Sequence, residues 1–431
     1  MVYTTTIRSK RQRIVTALDI GTSKICCLIA KTCPAPDWFE GKGEAVQFEV
    51  LGFDHTRAEG LKAGMVTHLD RAEACIRSAV DAAERMAGVT VEAVHVGVTC
   101  GRLRSESFSA SVALPSGAVR DDDILRLLAG GRQYAARDKR SVLHALPTSY
   151  RIDENGGISE PQGMCGERLS VDLHAVTADD VAMRNIMLCV ERCHLGVASL
   201  VAAPYASALS VITPDEAKFG VACLDFGAGT TTLSVFADGH FIHADGIALG
   251  GNAITTDIAR TLGAPIEHAE RLKTLHGSAF ATISDEREII TYPAVTGVPQ
   301  PSLNQITKAQ LALIIRPRIE EILDLMRRRL AASGVASEAT QHLVLTGGAS
   351  QLTGLAELAT NMFGRPARLG RPRSLSGLPA VAAAPDFAAS IGLLLQWERG
   401  DDRLSGRAEQ RFLRTGTGYF ARVGEWIRDN F

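Results

Sequence analysis

Strand-like hydrophobic patterns occur in two segments of the chain that align without a gap. Val15 to Ala30 and Val221 to Phe236 each contain an apolar run, a turn with glycine and a second apolar run. Short apolar runs bounded by turn residues are typical of buried strands, so each segment predicts a β-hairpin. The two segments begin 206 residues apart. The pattern therefore predicts two related halves.

The turns of these hairpins carry the first candidate chemistry, because glycine and small residues there leave backbone N–H groups able to bind an anion such as phosphate. One such turn alone is better interpreted as an ordinary β-turn. Its recurrence at the same register in both halves favours a phosphate site. Neither the P-loop nor the G-x-G-x-x-G spacing is present. The candidates are Asp19, Gly21, Thr22, Ser23, Lys24, Asp225, Gly227, Gly229, Thr230 and Thr231.

Three further segments have patterns that suit a nucleotide. Apolar positions at helical spacing follow Gly250, Gly251 and Asn252, and a strand-like run precedes Gly347, Gly348 and Ala349. Glycines allow a flat ligand such as a purine to approach the backbone closely. Glu270 and Lys273 are three residues apart on a predicted helix, where they could meet ribose hydroxyls. A solvated ion pair is an equally good interpretation of these two residues.

Composition narrows the class of protein. Hydrophobic residues make up 46% and charged residues 22% of the 431 residues, as in ordinary globular proteins. The net charge of −2 predicts no nucleic-acid partner. The nine cysteines show neither zinc-site nor disulfide-framework spacing, so we expect a reducing compartment. Apolar runs are too short for a transmembrane span or a signal peptide.

The C-terminal end has a different pattern. A polar stretch follows Trp397, and the segment 419–431 then places large apolar residues on one face of a helical wheel. Six arginines stand against three acidic residues from Arg403 onward. This combination favours an interfacial membrane anchor, while a helix docked on its own domain is the alternative. The anchor candidates are Phe420, Val423, Trp426, Ile427 and Phe431.

Four motifs occur in the order Asp19-Ile-Gly-Thr, Asp225-Phe-Gly-Ala-Gly-Thr-Thr, Glu270-Arg-Leu-Lys and Gly347-Gly-Ala-Ser. In this order they resemble the actin-like ATPase superfamily, and nearly the whole chain resembles its FtsA family of bacterial division proteins. The resemblance implies an α/β fold of two actin-like domains around a nucleotide cleft. It also implies an inserted small α/β subdomain of SHS2 type and a C-terminal amphipathic helix. ATP and Mg²⁺ are the implied cofactors, with Asp19 and Asp225 facing the metal through water.

The resemblance also divides the chain. We expect residues 1–90 and 170–200 to form subdomain 1A, 91–169 the inserted subdomain 1C, 201–240 and 331–396 subdomain 2A, 241–330 subdomain 2B, 397–418 a flexible linker and 419–431 the amphipathic helix.

Partners and location follow from the family as expectations. Its members tether FtsZ filaments to the inner face of the cytoplasmic membrane at the division site, as peripheral proteins that self-assemble and recruit later divisome membrane proteins. Subdomain 2B binds the partly acidic C-terminal peptide of FtsZ. Lys308, Arg316 and Arg318 are candidates for pairing with its carboxylates.

Two positions depart from the family pattern. Many relatives have glutamate where this chain has Ala203, and aspartate where it has Thr232. Phosphoryl transfer needs an oriented nucleophile, so we expect ATP binding with weak or no hydrolysis. The alternatives are a PilM-like assembly ATPase, a kinase of the same superfamily, or a chaperone. A chaperone is expected to continue into a substrate domain, whereas this chain ends at 431 in an amphipathic segment.

Overall fold

The computed structural model describes residues 13–34, 46–293 and 303–399. Residues 397–399 of the predicted linker 397–418 are helical, as the end of the helix Ala388–Arg399, and the rest of the linker and the predicted amphipathic helix lie outside these ranges. The strands are β1 (Ile14–Ile20), β2 (Lys24–Pro34), β3 (Val46–Arg57), β4 (Leu61–Lys62), β5 (Met65–Val66), β6 (Ala93–Val98), β7 (Arg104–Ala113), β8 (Arg140–Ile152), β9 (Asn155–Ile158), β10 (Arg168–Asp179), β11 (Gly196–Ala202), β12 (Val221–Phe226), β13 (Thr231–Ala237), β14 (His240–Ile247), β15 (Ile289–Pro293), β16 (Leu303–Thr307), β17 (His342–Thr346) and β18 (Ala367–Leu369).

The helices are α1 (Leu69–Ala87), α2 (Asp121–Ala135), α3 (Asp180–Arg192), α4 (Ala203–Val211), α5 (Pro214–Phe219), α6 (Gly251–Leu262), α7 (Ile266–His276), α8 (Lys308–Ala332), α9 (Leu355–Phe363) and α10 (Ala388–Arg399). Short 3-10 turns, including Pro385–Phe387, complete the elements. No helix within the described ranges combines the length and the apolar character needed to cross a membrane.

Two five-stranded sheets share one topology. The first has the order β3-β2-β1-β6-β11 and the second the order β14-β13-β12-β17-β18. In each sheet the first three strands are antiparallel neighbours and the last two join in parallel. The two predicted hairpins are β1–β2 and β12–β13, which occupy equivalent places. The predicted internal repeat is therefore a duplicated sheet.

A third sheet, with the order β7-β10-β8-β9, forms the inserted subdomain together with α2. The acidic segment Asp121 to Asp123 begins α2, and the Arg120 backbone N–H donates to the Asp123 carboxylate at 3.1 Å. The predicted boundaries 91–169 need correction. Strand β6 pairs with β1 and β11 of the first sheet, whereas β10, which continues to Asp179, pairs with β7 and β8. The inserted sheet thus runs from Arg104 to Asp179.

Two helices cross between the large sheets. Helix α10 packs on β1, β2 and β6 of the first sheet, although it follows the second half in sequence. The prediction that residues up to 396 belong with subdomain 2A is therefore wrong for α10. Helix α4 crosses α10 at Gly392, where an added Cβ would lie 1.7 Å from the Ala206 carbonyl oxygen. Only glycine allows the two backbones to approach this closely.

The second half carries its own smaller module. Helices α6, α7 and α8 share an apolar core with the inner side of the second sheet, and the two-stranded sheet β15–β16 adjoins α8. The predicted module 241–330 begins too early, because β14 pairs with β13 in the second sheet along its length. The module therefore consists of α6, α7, the sheet β15–β16 and α8.

Buried histidines mark the place where the inserted sheet meets the rest of the molecule. His144 of β8 lies 4.7 Å from the Tyr205 ring of α4, and His174 of β10 lies 4.8 Å from the Phe241 ring of β14, measured between centroids. The His144 Nε2 atom accepts from the Ala202 backbone N–H at 3.0 Å. Both imidazoles are therefore held neutral against aromatic rings.

Acid is expected to weaken this junction. Burial lowers the pKa of both His144 and His174 to about 3, and the nearby His243 and Arg132 oppose a further positive charge. The unfolded chain binds these protons below about pH 6.5 and the folded chain does not, so stability falls as the pH falls from about 6.5 toward 3. Urea midpoints at pH 7, 6 and 5 test this. His144→Gln keeps a hydrogen-bond acceptor and should flatten the pH slope; an unchanged slope would contradict the assignment.

Candidate functional site

A cleft between the two halves has a volume of about 340 Å³ and collects most of the predicted site residues. Both hairpin turns, the starts of α6 and α10, helix α7 and the loop after β17 contribute to its walls. The predicted residues that line it are Asp19, Gly21, Thr22, Ser23, Lys24, Asp225, Gly227, Gly229, Thr230, Gly251, Asn252, Glu270, Lys273, Gly347, Gly348 and Ala349.

Two predicted residues support the wall from behind instead of lining it. The Thr231 hydroxyl is buried and donates to the Leu249 carbonyl at 2.8 Å. Gly250 packs against the second turn, where an added Cβ would lie 2.4 Å from the Gly227 carbonyl oxygen. Next to it, the Gly251 N–H donates to the same carbonyl at 2.9 Å. These contacts fix the N-terminus of α6 against the turn.

The two turns contact each other across the cleft. A Cβ on Gly229 would lie 2.6 Å from the Thr22 Oγ1 atom. The same hydroxyl accepts from the Gly64 N–H at 3.0 Å. Because one turn comes from each half, a ligand held by both turns would be sensitive to how the halves are arranged.

The two aspartates that end β1 and β12 lie at the floor of the cleft. Burial raises the pKa of Asp19 to about 6; Lys24 opposes this shift and the charge of Asp225 adds to it. Burial also raises the pKa of Asp225, partly offset by the Ser207 hydroxyl, which donates to it at 2.5 Å, and by Lys24. Two interacting carboxylates in one cavity, with Asp19 buried and Asp225 partly buried, favour a cation beside them.

These carboxylates fit Mg²⁺ better than a metal held by protein alone. Among the described residues, no group of three or more His, Cys, Asp or Glu side chains converges on one point. Mg²⁺ commonly takes one or two carboxylates and completes its shell with water and phosphate oxygens. The Thr232 hydroxyl, which is buried in the cleft wall without a hydrogen-bond partner, offers a further polar group.

Lys24 is the cation nearest these carboxylates. Its ammonium pairs with the Asp386 carboxylate and lies 3.3 Å from the centroid of the Phe387 ring. Sequence reasoning identified Lys24 but missed Asp386, because 362 positions separate the two residues and no motif marks the segment.

Glu270 and Lys273 form the pair that their spacing predicted, at 2.6 Å on α7. The Lys273 ammonium also donates to Thr255 Oγ1 at 2.9 Å and to the Gly251 carbonyl at 3.2 Å. Lys273 is buried, whereas the Glu270 side chain is 46% exposed. The pair is therefore not a solvated surface pair: the lysine ties α7 to α6, and the carboxylate faces the opening.

The glycine segment at 347–349, which follows β17, forms one side of the cleft. Gly347 has φ +83°, and a Cβ there would lie 2.2 Å from the Asp225 carboxylate, so glycine is required. Several lining or supporting residues carried no sequence signal, because only the fold brings them to the cleft. They are Thr99, Ser207, Thr274, Gln351, Asp386 and Ser390.

The three candidate partner-binding cations lie on α8, away from the cleft lining, and all have carboxylate partners within the chain. Lys308 pairs with Asp285 at 3.2 Å and with Glu288 at 3.4 Å. Arg316 pairs with Glu320 at 2.7 Å. Arg318 pairs with Asp257 at 2.6 Å and with Glu321.

Comparison with solved structures identifies the fold of the chain. The PilM-PilN type IV pilus biogenesis complex contains a chain with a TM-score of 0.61 and 17% identity, covering 89% of this chain and 98% of that one. MreB5 of Spiroplasma citri bound to ADP gives a TM-score of 0.54 at 13% identity, covering 91% and 98%. These similarities show an actin-like fold.

Sequence comparison places the family. Residues 222–392 match Cell division protein FtsA, and residues 100–177 match the SHS2 domain inserted in FtsA. Cell division protein FtsA of Agrobacterium fabrum is 42% identical over 99% of this chain and 96% of its own length. The Pseudomonas aeruginosa protein is 35% identical over 89% of both chains, and the Escherichia coli K12 protein is 31% identical over 99% of this chain and 100% of its own length. The chain belongs to the FtsA family of cell division proteins.

Proposed function

We propose that the cleft binds ATP with Mg²⁺ and that the protein uses this site while anchoring FtsZ filaments to the membrane. The observation that carries the nucleotide proposal is the meeting of two glycine-containing turns and two aspartates, Asp19 and Asp225, in one cavity. The fold neighbour MreB5, which was solved bound to ADP, supports it.

Roles in the cleft follow from chemistry. The turn residues Gly21 to Ser23 and Gly227 to Thr230 offer backbone N–H groups to the phosphates. Asp19 and Asp225 hold Mg²⁺ through water, and the metal supplies charge neutralisation for the phosphates. Glu270, whose carboxylate faces the opening, accepts from the ribose hydroxyls. The backbone of Gly347 to Ala349 lies against the base.

Hydrolysis should be slow. Ala203 and Thr232 line the cleft at positions where the family resemblance implies carboxylates, and neither side chain can take a proton from water. We expect tight ATP binding by calorimetry, turnover far below one per second by phosphate release, and loss of binding in Asp225→Ala. Turnover of several per second that Asp225→Ala abolishes would contradict this.

The division role rests on family membership and on the polar and apolar pattern of the C-terminal segment. An amphipathic helix at 419–431 would bind lipid weakly in one copy and strongly when a polymer presents many copies. Self-assembly and peripheral attachment at the inner membrane, near the division site, would then reinforce each other. Later divisome membrane proteins would meet the inserted subdomain.

The FtsZ tail peptide is proposed to contact the smaller module of the second half. Its carboxylates would compete with the internal partners of Lys308, Arg316 and Arg318. Arg316 is the most accessible of the three, since 44% of its side chain is exposed against 28% and 27% for the other two.

One sedimentation experiment tests both attachments. The protein should carry a labelled FtsZ tail peptide into the pellet with anionic liposomes. Trp426→Glu should abolish lipid binding and leave peptide binding in solution unchanged. Arg316→Ala should weaken peptide binding severalfold and leave lipid binding unchanged. Undiminished pelleting of Trp426→Glu would refute the anchor, and failure to bind the peptide would refute the tethering role.

A further inference from the structure

The ion pair between Lys24 and Asp386 joins the two halves at the floor of the cleft. Lys24 begins β2 in the first sheet. Asp386 is fixed to the second half, since the carbonyl of the preceding Pro385 accepts from the Gly347 N–H at 3.1 Å and from the Thr346 hydroxyl at 3.2 Å. The pair therefore links the turn at 21–24 in the first half to the glycine segment at 347–349 in the second half.

Lys24 is also one of two lysines that line the cavity. Lys24 and Lys273 are the cations among its described lining residues. Lys273 is buried and occupied by Glu270, Thr255 and the Gly251 carbonyl. Lys24 lines the cavity together with Asp19 and Asp225, and its positive charge opposes the rise that burial causes in the pKa of both carboxyl groups.

We propose that Asp386 is an internal competitor of the nucleotide: its carboxylate holds the Lys24 ammonium, and an incoming phosphate group must displace it. This inference rests on the proposed nucleotide site and adds its regulation. The Asp386 carboxylate joins Asp19, Asp225 and Glu270 as a fourth acidic group in the cavity lining. A negative charge a few ångströms from a phosphate repels it and weakens its binding. The repulsion is stronger in a partly desolvated cleft than in water.

The arrangement keeps Lys24 in place when the competitor leaves. Its ammonium lies over the Phe387 ring at 3.3 Å, and a cation held against an aromatic face retains part of its stabilisation without the carboxylate. When Asp386 is displaced, the Lys24 ammonium would therefore become available to a phosphate while the Phe387 ring keeps it in place. It would also break one link between the halves as the ligand enters.

Substitution of Asp386 gives the binding test, measured by calorimetry with ATP and Mg²⁺ on the full chain. Asp386→Asn removes the charge and should bind ATP about tenfold more tightly than the unaltered protein. Asp386→Glu keeps the charge and should bind within twofold of it. Glu267→Gln is the matched control: Glu267 also pairs across the halves, with Arg57 at 3.7 Å, but lies outside the cavity lining, and its loss should not change affinity.

Displacement itself can be measured by carbodiimide cross-linking and peptide mass spectrometry. A Lys24–Asp386 cross-link should form without nucleotide, disappear at saturating ATP and Mg²⁺, and be absent in Asp386→Asn. Unchanged or weaker ATP binding by Asp386→Asn, or a cross-link that persists at saturation, would overturn the proposal. Absence of ATP binding in both the unaltered protein and Asp386→Asn would overturn the nucleotide site as well, whereas binding by the variant alone would support the competition.

Discussion

Replacement of Gly392 by alanine is expected to lower the free energy of unfolding by about 2–3 kcal/mol, because the added methyl group has no room. The new Cβ would lie 1.7 Å from the Ala206 carbonyl oxygen and 2.3 Å from its carbon, both of them backbone atoms that no side-chain rotation can move. Helices α4 and α10 must therefore separate. Urea unfolding followed by circular dichroism measures the loss.

Nucleotide affinity should fall in the same variant, since Ala203 at the start of α4 and Ala389 in α10 both line the cleft. Gly130→Ala is the matched control. Gly130 also lies inside a helix, but its added Cβ would meet no atom within 4 Å. Alanine there should stabilise slightly, by about 0.5–1 kcal/mol, through helix propensity. Equal effects of the two substitutions would show that the crossing is not as close as described.

Asp19→Asn is expected to stabilise the protein without nucleotide and to weaken nucleotide binding. The pKa of Asp19 in the folded protein is about 6, above its ordinary value of 3.8, so the ionised carboxylate costs stability at neutral pH. This cost is complete above about pH 6 and absent below about pH 4. Removing it should raise the free energy of unfolding by about 1–3 kcal/mol at pH 7.5 and by nothing near pH 4.

The opposite effect on ligand binding is larger. Loss of one of two metal-facing carboxylates should lower affinity for ATP with Mg²⁺ by about a hundredfold, or roughly 3 kcal/mol. Thermal unfolding with and without ATP and Mg²⁺ measures both effects. Asp285→Asn provides the contrast. Hydrogen bonds from Thr282 lower the pKa of Asp285, so that substitution should destabilise the protein and leave nucleotide affinity unchanged. A destabilised Asp19→Asn would contradict the assignment.

Local patterns predicted the parts of this protein that depend on neighbours in sequence. The β1–β2 and β12–β13 hairpins need only their own apolar runs and turns, and Asp19 and Asp225 sit at equivalent registers opposite Cys26 and Thr232. The contact between Glu270 and Lys273 follows from helical spacing alone. These features give the two halves and much of the site.

Contacts between segments that are distant in sequence could not be predicted from local patterns. The apolar run of α10 is equally compatible with either sheet, and only packing assigns it to the first. Strand β6 has the same pattern whether it begins the inserted sheet or extends the first one; its parallel pairing with β1 decides. Asp386 lies in a segment that has no motif and no hydrophobic periodicity. Its pairing with Lys24 arises only from the tertiary fold.

The place of α10 has a consequence for synthesis of the protein. Residues of β1 such as Leu18 leave the ribosome well before the helix that covers them, which begins 388 − 18 = 370 positions later in the chain. Until that helix emerges, one apolar face of the first sheet has no native cover, and exposed apolar surface of this kind promotes aggregation. The nascent first half must wait for α10 to emerge before its core is complete.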